Sequence, residues 1–80
     1  MRRCTVEFVI EPFTEGSPGP HVVSGIDAME ARGLAVSMGP FGSSVAGEVG
    51  DVLDAAGAMV AAAVESGAHR VLVDVVTDTS

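Results

Sequence analysis

Leu34-Ala35-Val36-Ser37-Met38-Gly39-Pro40-Phe41-Gly42-Ser43-Ser44-Val45-Ala46 reads as two short strands folded back on one another. Leu34 to Met38 forms one arm and Ser43 to Ala46 the other. Between them, Gly39-Pro40-Phe41-Gly42 has Pro at the second turn position and Gly at the fourth. That pattern predicts a type I turn, because type II would want Gly or Asn where Phe41 stands. This hairpin decides the fold, because helical periodicity flanks it on both sides.

After the hairpin, Val49, Val52, Leu53, Ala56, Met59, Val60, Ala63 and Val64 recur at spacings of three and four, which predicts an amphipathic helix. Glu48, Asp51 and Asp54 crowd its start, where the helix dipole favours negative charge, and Gly67 closes it. Before the hairpin, Val22, Val23, Ile26, Ala28 and Met29 form a second apolar stripe, with Asp27, Glu30 and Arg32 opposite. Pro18 or Pro20 suits the first turn of that helix, and Gly33 terminates it. Gly25 inside it costs about 1 kcal/mol relative to Ala.

The outermost elements are strands. Cys4, Val6, Phe8 and Ile10 alternate with Thr5, Glu7, Val9 and Glu11 until Pro12 ends the run. A loop follows over Thr14-Glu15-Gly16-Ser17-Pro18-Gly19-Pro20. At the other end, Arg70 to Val76 places Val71, Val73 and Val75 on one face and Leu72, Asp74 and Val76 on the other. The order is β-α-β-β-α-β, the split βαβ pattern of ferredoxin-like α+β folds. We expect one such domain over residues 1–80, with a four-stranded antiparallel sheet in order 4-1-3-2 and both helices on one face. The opposite face would carry Val9, Leu72 and Val76 beside Glu7 and Asp74. Uncovered apolar side chains there predict a homo-oligomer, a dimer or tetramer, packed through this sheet face.

Composition narrows the function. The 80 residues carry a net charge of −7, from 4 Arg and no Lys against 11 Asp plus Glu, while 48% are hydrophobic. So much apolar content argues against disorder. Four cations make no basic face, so neither nucleic acid nor an anionic membrane surface is expected as a partner. No run approaches the ~20 uncharged residues of a membrane span. A domain this small buries only roughly 60% of its unfolded surface, and the lone Cys4 cannot form an intrachain disulfide to compensate. A lone thiol and the absence of a leader-like apolar run predict a reducing, cytoplasmic setting.

Most motifs have ordinary readings. Gly47 precedes Glu48 where a phosphate loop needs Lys, and a carboxylate there repels phosphate. Cys4 lies on the predicted core side of the first strand. His21 and His69 have no metal-ligand spacing around them, so no metal and no cofactor are expected, and no nucleophile–base set can be assembled. Glu7 and Asp74 are different: adjacent strands would carry both on the uncovered face. They are either solvated or Arg-paired charges at an interface rim, with Arg2, Arg3 or Arg70 as partners, or an acidic pocket between subunits for a cationic or hydrogen-bond-donating ligand.

The string from Gly39 to Glu48 resembles the Gly-Pro-Met-Gly-Thr-x-x-Glu-Gly-Glu stretch of the thiamine-binding protein family. Val6 to Pro12, Ala31-Arg32-Gly33-Leu34 and Glu65-Ser66-Gly67-Ala68-His69-Arg70-Val71 resemble the family's opening strand, first helix end and second helix exit. The resemblance implies a ferredoxin-like fold, assembly of dimers into tetramers through their sheets, and non-catalytic binding of thiamine or its pyrimidine precursor near a subunit interface. It places Ser43 at the family's Thr and Glu48 at its acidic residue, with Phe41 at its Met, Ala46 where Glu is usual and Val36 where an aromatic residue is common. A hydroxyl and a carboxylate would engage the aminopyrimidine, while Phe41 or acidic neighbours accommodate a ring or cation. The candidate ligand set is therefore Ser43, Ser44, Glu48 and Phe41, together with Glu7, Glu11 and Asp74. The competing expectations are a structural or regulatory oligomer without ligand, and a small enzyme enclosing a cavity.

Overall fold

Strict alternation in β1 (Arg3–Glu11) organises the molecule: Cys4, Val6, Phe8 and Ile10 are all at most 3% exposed, and the residues between them face the other way. In the computed structural model, which describes residues 2–13, 18–39 and 42–77, β1 is followed by α1 (Pro20–Glu30) and β2 (Ser37–Gly39). Then come β3 (Gly42–Glu48), α2 (Val49–Glu65) and β4 (Arg70–Thr77). The antiparallel sheet has order β2-β3-β1-β4, the expected 4-1-3-2 read from its other edge. The parts of the predicted loop over residues 14–17, and Pro40 and Phe41 of the predicted type I turn, lie outside the described residues.

Both helices pack on the even-numbered side of β1. Val22 and Met29 of α1 meet Val52, Ala55, Ala56, Met59 and Ala63 of α2 over β1 and Val45 of β3. The alanines of α2 let the helix lie close, and the two methionines, fully buried, fill the remaining irregular space. Gly25 is required by this closeness: a Cβ there would stand 2.7 Å from Ile10 Cδ1 and 3.3 Å from Met59 Cγ. The propensity cost of a mid-helix glycine is thus offset by helix–sheet contact. Across the outer surface of the two helices, Arg32 Nε donates to Asp54 Oδ2 at 2.9 Å, and Ser66 Oγ to Ser24 Oγ at 2.9 Å.

The helix ends follow their sequence signals. Pro20 opens α1 at a position whose missing N–H needs no partner. Gly67, at φ +107°, ends α2 in a Schellman arrangement: Ala68 N–H donates to the Ala63 carbonyl and Gly67 N–H to that of Val64.

Three expectations change. The second strand is shorter than Leu34–Met38: pairing begins only at Ser37, opposite Ser44, while Leu34 and Val36 pack sideways onto the core without joining the ladder. The third strand is longer than Ser43–Ala46, because β1 pairs with it as far as Glu48. The apolar stripes are also narrower than their spacing suggests, since Val23, Leu53 and Val64 are 45%, 45% and 56% exposed. Each helix contacts the sheet along one seam, and Ala55 occupies the place in it that Leu53 was expected to share. Among the described residues, no helix is long and apolar enough to cross a membrane.

Candidate functional site

The odd-numbered side of β1 faces away from the helices, and the strand register fixes what lies on it. Glu7 has Ser44 of β3 as its neighbour on one side and Asp74 of β4 on the other. Ser44 is in turn paired with Ser37 of β2. Ser37, Ser44, Glu7 and Asp74 therefore form one polar row across all four strands. Directly opposed side chains in such a row stand roughly 5 Å apart at Cβ.

One step along the strands the row changes character. Val9 pairs with Leu72, and Gly39 with Gly42, so one half of this second row is apolar and the other lacks side chains. The missing side chains leave an open groove of about 600 Å³ bordered by Ser37, Ser44, Glu7, Asp74 and Leu72. On the other side of the polar row, Thr5 lies between Ala46 and Val76. The groove thus has an acidic wall, hydroxyls and an apolar floor.

The predicted site residues divide accordingly. Glu7, Ser44 and Asp74 are brought together. Glu48 and Glu11 are not: each lies four residues along its strand from the polar row, ~13 Å away, and at opposite ends of the sheet. Glu48 is opposite Arg3, and Glu11 Oε1 stands 3.7 Å from Arg70 Nε. Ser43 pairs with buried Phe8, so its side chain is on the helix side of the strand; it borders both the groove and an adjoining slot of about 80 Å³ lined by Phe8, Phe13, Val22 and Met38. Phe41 lies outside the described residues. Ser37 was missed by the sequence reading, because only the register of the hairpin reveals it.

Among the described residues, neither Glu7 nor Asp74 has an ion-pair partner; the pairs present are Arg32–Asp54 and Arg70–Glu11. The row is therefore an acceptor surface with two like charges facing each other. It can take hydrogen bonds from amino or hydroxyl groups through carboxylate and serine oxygens, and it attracts a cation. Among the described residues, no three His, Cys, Asp or Glu side chains are grouped to hold a metal ion. The histidines stand apart from the row: His21 Nε2 is hydrogen-bonded to the Pro12 carbonyl, and His69 lies beyond the end of β4, where its backbone N–H donates to the Glu11 carbonyl at 2.8 Å. Cys4 is buried in the core at 3% exposure.

Solved structures share this fold. A DUF77 domain from Bacillus cereus is 20% identical, with a TM-score of 0.71 over 99% of this chain and 77% of its own. A hypothetical protein from Methanocaldococcus jannaschii is 21% identical, with a TM-score of 0.71 over 100% and 82%. A Thermotoga maritima protein, described as a candidate for thiamine biosynthesis or salvage, is 22% identical, with a TM-score of 0.67 over 98% and 84%. No curated protein sequence matches significantly. The sequence itself matches the profile described as thiamine-binding protein over residues 6–80, and the chain belongs to that family.

Proposed function

We propose that this protein binds thiamine or its hydroxymethylpyrimidine precursor, without catalysis, on the helix-free face of its sheet. The observation that carries the reading is the convergence of Glu7, Asp74, Ser44 and Ser37 beside a groove left open by Gly39 and Gly42. A permanently charged thiazolium suits two carboxylates that have no ion-pair partner among the described residues. An aminopyrimidine brings amine donors for Glu7 and Ser44 and ring nitrogens that accept from the serine hydroxyls. Val9 and Leu72 supply an apolar surface for the flat of a ring.

Binding without turnover is supported by the residues at hand. The row holds carboxylates and hydroxyls only, and both histidines, the side chains best suited to proton transfer near neutrality, are elsewhere. A second copy packed over the face, in a dimer or tetramer, would enclose the ligand and cover Leu72 and Val76, now 42% and 51% exposed. The buried lone thiol of Cys4 fits a reducing cytoplasm. Calorimetric titration with thiamine, thiamine phosphate and hydroxymethylpyrimidine tests the reading. Saturable heat with at least one of them is expected, and no heat from any at millimolar concentration rejects it.

A further inference from the structure

The groove on the helix-free face does not end at its glycines. Phe8, Val9, Met38, Gly39, Gly42 and Ser43 border both the groove and the slot of about 80 Å³, so the two form one cavity with a wide part and a narrow part. Ile10, Phe13 and Val22 line the narrow part alone. Its floor is the hydrophobic core itself: Phe8, Ile10 and Val22 are each 3% exposed, yet each presents a surface to the slot. Phe13 and Met38, 46% and 56% exposed, are its outward members. The junction of the two parts is kept clear by glycine. A Cβ on Gly42 would stand 3.1 Å from both the Phe8 carbonyl oxygen and Val9 Cγ2, closer than ordinary contact allows.

The lining says what the slot can take. Among the described residues, Ser43 is the only polar side chain bordering it, so the group that fits is apolar. Such a group restores the contacts that atoms around an unfilled apolar recess lack on one side. Position adds a second constraint. Gly42 and Ser43 at the mouth precede Ser44 of the polar row by two residues and one, and each residue along a strand advances ~3.3 Å. On the aminopyrimidine of the ligand, the amine and the ring methyl flank a single ring nitrogen. With the amine at Glu7 and Ser44, the methyl is therefore carried toward the mouth. We propose that the slot receives this ring methyl and makes the site selective for aminopyrimidines with a small alkyl group at that carbon. The inference rests on the ligand reading above and deepens it: the carboxylates and hydroxyls read charge and hydrogen bonds, and the slot reads shape.

The test is calorimetric titration of the intact chain and of Phe13→Ala with hydroxymethylpyrimidine and with two analogues, in which hydrogen or ethyl replaces the ring methyl. Phe13 lines the slot and not the groove, and it is exposed enough to be truncated without emptying the core; circular dichroism verifies folding. In the wild type the hydrogen analogue should bind at least about fourfold more weakly than the methyl compound, the worth of one buried methyl group. The ethyl analogue should bind at least as tightly as the methyl compound. In Phe13→Ala the methyl-to-hydrogen ratio should fall by about half or more, while affinity for the hydrogen analogue stays within about twofold of wild type. Methyl and hydrogen compounds that bind alike, an ethyl analogue weaker than the methyl compound, or an unchanged ratio in Phe13→Ala would each overturn the slot and leave the ligand reading standing. No heat from any of the three also overturns the slot, and thiamine titrated alongside shows whether the ligand reading falls with it.

Discussion

Replacing Glu7 with Gln removes one of two like charges at nearly constant shape, and the structure gives its consequences opposite signs for stability and for binding. Glu7 and Asp74 are direct neighbours across β1 and β4. At roughly 5–6 Å in a water-like dielectric, their repulsion is about 0.8 kcal/mol, and salt at physiological strength screens it to about half. For a domain of 80 residues, about 1 kcal/mol moves the midpoint by about 4–8 °C. Glu7→Gln should therefore raise Tm by about 3–6 °C in low salt and by about 2–3 °C at physiological ionic strength. The same substitution removes a charge-assisted hydrogen bond to ligand and should weaken thiamine binding about 10- to 100-fold. Thermal unfolding followed by circular dichroism at two salt concentrations, with calorimetry on the same samples, reads both effects. A Tm that falls, or that fails to rise at either salt, refutes the repulsion, and an unchanged affinity refutes the placement of ligand beside Glu7.

Ser44→Ala should weaken thiamine binding, whereas Ser43→Ala, on the opposite face of the same strand, should leave it within about twofold; the reverse order would move the site to the helix side. Gly25→Val must fit a branched side chain where even a Cβ would be 2.7 Å from Ile10 Cδ1. It should lower stability by about 1–3 kcal/mol in denaturant unfolding, because overpacking outweighs the helix propensity gained. Met59→Ala empties a fully buried position and should cost about 2–5 kcal/mol, enough to leave much of so small a domain unfolded at 37 °C.

Much of the architecture was legible because each signal had one physical reading. The period of two in β1 survived intact, since all four of its even-numbered apolar residues entered the core. Gly33 and Gly67 marked both helix exits because only glycine adopts positive φ without cost. The width of the helical stripes was less legible. Spacings of three and four admit Leu53 and Val64 as readily as Ala55, and only the closeness of the sheet selects the small residue. The run Leu34 to Val36 looked like a strand because its residues are apolar, yet burying Leu34 and Val36 against the core does not require ladder pairing. The site was half legible. Alternation alone placed Glu7 and Asp74 on the uncovered face, and the register confirms that they are neighbours. Which of Ser43 and Ser44 faces them depends on hairpin pairing, since a shift of one residue reverses every side chain. Glu48 and Glu11 share the acidic character of the row, but strand length carries both to the ends of the sheet.

NMR chemical-shift mapping of the nitrogen-15-labelled chain titrated with thiamine tests whether the polar row on the helix-free face holds the ligand. Saturable shifts are expected at the amides of Glu7, Ser44 and Asp74 and their strand neighbours, with the outer surface of the helices around Asp27 and Asp54 unmoved. Shifts centred on Ser43, Phe13 and Val22, or on Glu48, with the row unmoved, would contradict it.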